Sequence, residues 1–120
     1  MGQIKVVILL LIAIVLCVLL FPVGFAIGLI PPNRNKYLYN ICIGLDQLGN
    51  VICATLFNHL LIKKDSPAFG NPDETISSVI GKNKLVNNLT ILGKLLDLFL
   101  DLLDKNHTIN SIENLKQKMN

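Results

Sequence analysis

From Val6 to Ile30 the chain carries no charged side chain. An apolar stretch of about 25 residues is long enough to cross a bilayer core as a helix. In lipid every backbone N–H and C=O must be satisfied within the segment, so a span of this kind is helical or nothing. What remains of the 120 residues can build at most one small domain, whose core is thin unless lipid or a partner supports it. The balance of residue types agrees, because 52% hydrophobic is high and 16% charged is low for a water-soluble domain.

A cleaved signal peptide is the rival reading of the N-terminus. Lys5 supplies a minimal basic start, and Gly24, Phe25 and Ala26 put small residues where a signal peptidase would read. The apolar run nevertheless continues through Ile27, Leu29 and Ile30, well past the roughly 7 to 15 residues of an ordinary signal core. Residues 1–30 are therefore read as a retained transmembrane anchor stopped by Pro31 and Pro32. A lipoprotein reading centred on Cys17 fails because Leu16 precedes it, where a small residue is needed. Lys5 at one end and Arg34 with Lys36 at the other leave too little asymmetry to orient the span.

The net charge of +3 comes with no basic run longer than Lys63–Lys64, so the chain lacks the electrostatic footprint of a nucleic-acid binder. Cys17, Cys42 and Cys53 show no metal-ligand spacing. On one straight helix Cys42 and Cys53 would stand roughly 16 Å apart, too far for a disulfide. No cofactor or metal site is expected from this pattern.

Residues 31–62 read as a second apolar helix, spanning or interfacial, with Tyr37 and Tyr39 at one end and Lys63–Lys64 at the other as interfacial anchors. Asp46, Gln47, Asn50, Asn58 and His59 interrupt it, and an ionised Asp at a bilayer centre costs about 2.5 to 3.5 kcal/mol. Helical spacing offers relief: Cys42, Asp46, Asn50, Cys53 and Phe57 share a face, and Asp46 and Asn50 are one turn apart. Asp46, Gln47 and Asn50 thus form a candidate polar interhelical contact, directed at a neighbouring helix, a second copy, water or headgroups.

Residues 63–81 read as a loop and a short capped helix, with Asn71 as N-cap, Pro72 in the first helical position, Asp73 and Glu74 favouring the positive end of the dipole, and Gly81 as the stop. Residues 82–105 hold the clearest amphipathic pattern. Leu85, Leu89, Leu92, Leu96, Phe99 and Leu103 recur at helical spacing, while Lys94, Asp97, Asp101 and Asp104 take the other side. The Asp-rich face argues against tight adsorption to anionic lipid, so this helix is expected to pack on the protein's own membrane helices or on a partner. Residues 106–120 form a polar tail with at most a short helix after His107, a residue expected to face water or a terminal carbonyl. The architecture expected is all-α.

Asp46-Gln47 with Asn50, the string Pro72-Asp73-Glu74-Thr75-Ile76-Ser77-Ser78, and His107 with Glu113 resemble an uncharacterised family of small bacteriophage and prophage membrane proteins. That family carries Asp-Gln-x-x-Asn, then Pro-Asp-Glu-Thr-[Ile/Leu]-Ser, then an aliphatic helix and a His-Cys near an acidic residue. The resemblance covers roughly residues 40 to 115. Thr108 follows His107 where the family has Cys, and the stretch between Asn50 and Pro72 is longer here. The resemblance implies phage or prophage origin and a bacterial membrane, with the inner membrane of the host expected, and it implies no established activity.

Asp73, Glu74 and His107 make no catalytic triad or ligand set, so an enzyme is not expected. The sequence instead suggests an integral membrane protein that perturbs the host envelope, in its most concrete form by holin-like self-association along the Cys42, Asp46, Asn50 and Cys53 face. The rival is an anchored binding module in which residues 71–120 engage a host protein or exclude other phages. A cleaved, secreted helical protein is the third reading. The lipid bilayer, a second copy or a host membrane protein are the partners expected, and nucleic acid is not.

Overall fold

The computed structural model describes residues 2–112 and is all-α, with no strand among the described residues beyond one isolated bridge. It divides into two compact units, residues 1–41 and 42–120.

In the first unit α1 (Gln3–Gly28) is a 26-residue helix with no buried residue, running through Pro22 and ending ahead of Pro31. By length and composition it is a candidate membrane span. The start of α2 (Arg34–Ile52) follows. The Tyr37 hydroxyl donates to the Gly24 carbonyl at 3.3 Å. Gly28 accepts the tyrosine ring so closely that a β-carbon there would lie 2.2 Å from it.

In the second unit α2 does not continue straight to residue 62, as the sequence pattern suggests. It gives way at Cys53 to α3 (Ala54–Leu60), and the axis bends by 74°. The polar residues supply a reason. On a straight helix Asn50 and Asn58 would be separated by about 12 Å of rise, yet they bind adjacent residues: Gly70 N–H donates to Asn50 Oδ1 at 3.0 Å and Phe69 N–H to Asn58 Oδ1 at 2.7 Å. The bend brings both carboxamides to one loop.

The capped helix also begins later than expected. Asn71 Oδ1 takes the Asp73 N–H at 3.0 Å and the Asn71 carbonyl takes the Glu74 N–H at 3.1 Å, so this asparagine closes a turn instead of capping a helix. Thr75 is the N-cap of α4 (Ile76–Leu85), its Oγ1 accepting from Ser78 N–H at 3.1 Å. Gly81 is not the stop. It is buried inside α4, where a β-carbon would lie 2.3 Å from the Thr108 carbonyl oxygen.

The expected long helix over 82–105 is in fact the end of α4 and a separate α5 (Ile91–Leu103). Asn87, at φ 56°, adopts the left-handed conformation that ends helices, and Asn tolerates it better than most residues. Thr90 then caps α5, accepting from Gly93 N–H at 3.2 Å and donating to the Leu60 carbonyl at 2.6 Å. Between the helices a short antiparallel pairing joins Ile62 to Leu89, with Thr90 N–H on the Leu61 carbonyl at 3.0 Å. Residues 107–112 are helical again.

The core is small. Val79 and Ile80 of α4 are fully buried and pack with Leu61, Ile62, Phe69 and Leu89, and Phe57 sits edge-on to Phe69 at 5.3 Å. So few apolar side chains leave buried hydrogen bonds a large share in specifying the fold.

Candidate functional site

The polar stripe read from the sequence does form a contact between elements, and it forms it within the chain. Asp46 Oδ1 accepts from Ile76 N–H at 2.9 Å and Oδ2 from the Ser77 hydroxyl at 3.2 Å, so α2 lends its carboxylate to the open N-terminus of α4. Asn50, with no exposed surface, donates to the carbonyls of Asn71 at 2.9 Å and Glu74 at 2.8 Å while accepting from Gly70. Asn58 completes the mould by donating to the Phe69 carbonyl at 3.2 Å. Gln47 is half-buried, and among the described residues no side-chain hydrogen bond engages it.

The family-like string is the segment this mould holds. Pro72 and Asp73 are exposed, Thr75 and Ser77 are buried, and Glu74 pairs with Lys82 of α4. His107 lies beside Asp104, its Nδ1 3.1 Å from Oδ2. Glu113 and the rest of the polar tail fall outside the described residues. No group of three His, Cys, Asp or Glu side chains gathers as a metal site among the described residues.

The largest departure from the sequence pattern is the orientation of α5. Its carboxylates at positions 97 and 101 do not face solvent. Asp97 is 8% exposed and accepts from the Thr108 hydroxyl at 2.7 Å, and Lys84 Nζ lies 2.9 Å from Asp97 Oδ2 and 2.8 Å from Asp101 Oδ2. Gly93 makes this inward face approachable, for a β-carbon there would lie 2.2 Å from the Leu61 carbonyl. Leu96 and Leu100 flank it, half-buried on the core. Leu92, Leu95, Leu98, Phe99, Leu102 and Leu103 therefore point outward, each more than half exposed. The sequence pattern groups Leu92, Leu96, Phe99 and Leu103 opposite the aspartates; in the fold Leu96 turns inward with Asp97, and Leu92, Phe99 and Leu103 stay outside.

Two local features drive this arrangement. Only glycine permits the close approach at position 93, and the lysine that neutralises the aspartates comes from α4. Lys84, Thr108 and Asn58 were not legible as site residues, because each acts on a group distant in sequence. Thr90, by contrast, had a readable signal: a threonine before an apolar run, three residues ahead of glycine.

The outward stripe of α5 continues at its first turn into an open groove lined by Leu60, Lys63, Leu89, Ile91, Leu92 and Lys94. Lys63 and Lys94 are its exposed cations, and Lys63 also donates to the Asn87 carbonyl at 3.3 Å. With Asp97 and Asp101 inside, aliphatic side chains outside, lysines at the first turn and Asp104 exposed at the far end, the first turn offers a surface suited to apolar contact with an anionic border. Among the described residues no nucleophile and base stand together along it.

The half-buried ion cluster has a pH signature. Hydrogen bonds to Asp101 and then Asp97 raise the Lys84 ammonium above its ordinary 10.5. A lysine held above its unfolded value contributes stability that is complete below that value and is lost as pH rises through the folded one. The stability gap between the wild type and Lys84→Met is therefore expected to be constant near neutrality and to close above about pH 10.5. Denaturant titrations of the micelle-held chain at several alkaline pH values check this.

Comparison with protein-family models, curated proteins and solved structures returns no match for this chain.

Proposed function

We propose that the chain is a single-span membrane protein without catalytic activity, which holds a small helical unit at the surface of a bacterial inner membrane and acts there by contact. One observation carries this reading: α1 is a 26-residue apolar helix with no residue buried by the rest of the chain, and a folded unit follows it. The resemblance to small phage and prophage membrane proteins supports a host-envelope setting.

The holin-like version draws less support. Its motive is an acidic residue inside an apolar segment, and Asp46 and Asn50 already have partners in the loop and in α4. Opening that mould to line a path between copies would leave several backbone groups of residues 70–76 unpaired. The anchored-module version leaves these bonds intact and uses the surface that the fold leaves uncovered.

Alkaline carbonate extraction with intact-mass analysis tests the anchor. The chain is expected to stay in the membrane pellet with an N-terminus at Met1 or Gly2. Release into the supernatant, or a mature N-terminus near Ile27, would replace it with the secreted reading.

A further inference from the structure

We propose that the outward face of α5 is a lipid-inserting surface, lying in the headgroup–acyl boundary of the same bilayer that α1 crosses. This rests on the reading of α1 as a span. Several observations favour lipid over a protein partner.

The first is charge. Two of the three aspartates that would repel an anionic surface are turned inward, Asp97 buried on Thr108 and Lys84 and Asp101 half-buried on the same ammonium, while Asp104 is exposed at the far end of the helix beside His107. What borders the exposed stripe at its first turn is cationic. Lys63 and Lys94 line the groove beside Ile91 and Leu92, and a lysine stem can lie along apolar surface while its ammonium reaches a phosphate.

The second is the chemistry of the stripe. From Ile91 to Leu103 the exposed side chains are all aliphatic except Phe99 and Lys94. The stripe offers none of the Tyr, Trp or Arg that anchor protein interfaces and form directional bonds across them. Leucines along one side of a helix match a fluid acyl boundary, which imposes no shape.

The third is tethering. The second unit begins at Cys42, shortly after α1 ends at Gly28, so a spanning α1 keeps α5 at high effective concentration near the bilayer. Weak partition of one amphipathic face then suffices, as it does when a second weak signal joins a first. The same exposed leucines on an untethered chain would instead be an aggregation liability.

The chain contains no tryptophan, so one substitution makes a clean reporter. Leu98→Trp places an indole on the exposed face at a position 57% exposed, where the fold does not depend on it, and Ile12→Trp places one in α1. Each full-length variant is reconstituted into phosphatidylcholine–phosphatidylglycerol vesicles, with helicity matched to wild type by circular dichroism. Emission is compared with and without lipids brominated near the carbonyl end or near the middle of the acyl chain.

Both indoles are expected to emit to the blue of free tryptophan, with the one at position 98 quenched most by shallow bromine and the one at position 12 quenched by deep bromine. Quenching at 12 with solvent-exposed, unquenched emission at 98 overturns the inserted face and leaves the anchor standing. Blue-shifted emission at 98 that bromolipids do not quench also overturns it, because protein, a second copy included, then covers the stripe. No quenching at either position removes the span and the inserted face together. Phe99→Trp, on the same exposed stripe, repeats the measurement should Leu98→Trp fail the helicity match.

Discussion

Asn50→Leu is expected to unfold the second unit or leave it only marginally folded. The side chain is fully buried, and it satisfies two carbonyls and one N–H of a loop that has no secondary structure of its own. Leucine approximates its volume and offers none of its bonds, so three backbone groups lose their partner at about 1 to 3 kcal/mol each. The total is comparable with the whole stability of a small domain, about 5 kcal/mol at the low end. Amide exchange at Val79 and Ile80, measured on the full chain in micelles, should accelerate by roughly a hundredfold or more. Gln47→Leu is the control. This side chain, on the same helix, has no hydrogen bond among the described residues, and a change within about 0.5 kcal/mol is expected. Equal effects of the two substitutions would mean that the stripe acts through general polarity and not through these bonds.

The sequence made part of this mould visible and hid its purpose. Asp46 and Asn50 stand out because polar groups at helical spacing inside an apolar run must be met by something, and the fold meets them with backbone of residues 70–76. Their partners were unreadable, because a loop's free N–H and C=O groups are the same in every sequence. The α1 segment was legible in full from hydropathy. The boundaries of α4 and α5 were not. Asn71 competes with Thr75 as a cap and loses because its side chain closes a turn with Asp73, and the break at Asn87 interrupts a leucine periodicity that by itself runs on.

Periodicity separates an apolar from an acidic side of α5 and does not say which of them the fold covers. A count of apolar positions assumes that the interior is the apolar side, which holds for a helix bathed in water. Here the interior supplies a lysine and a threonine to the aspartates, and the richer apolar stripe faces out. An apolar count therefore does not by itself say which side of a helix the fold covers.

Glycines give the second large effect, with opposite signs at two helical positions. At Gly44 in α2 nothing lies within 4 Å of where a β-carbon would stand. Gly44→Ala should therefore stabilise the unit by about 0.8 to 1 kcal/mol through helix propensity alone. Gly81→Ala gains the same propensity and collides. Its β-carbon would meet the Thr108 carbonyl oxygen at 2.3 Å, the carbonyl carbon at 2.7 Å and the Ile112 side chain at 2.8 Å. A backbone cannot turn aside as a side-chain tip does, so residues 107–112 must move away from α4. Forcing atoms into a packed interior costs about 1 to 3 kcal/mol, and Gly81→Val should sit at or above the top of that range. The shift also draws Thr108 off Asp97, where its hydroxyl is a buried donor. Gly81→Ala and Thr108→Val should therefore combine to less than the sum of their separate losses, since each removes the same bond. Urea titrations of the four species, followed by amide exchange in α4 and α5, measure that coupling. Strict additivity would mean that Gly81 is needed for α4 itself and not for seating the helix that carries Thr108.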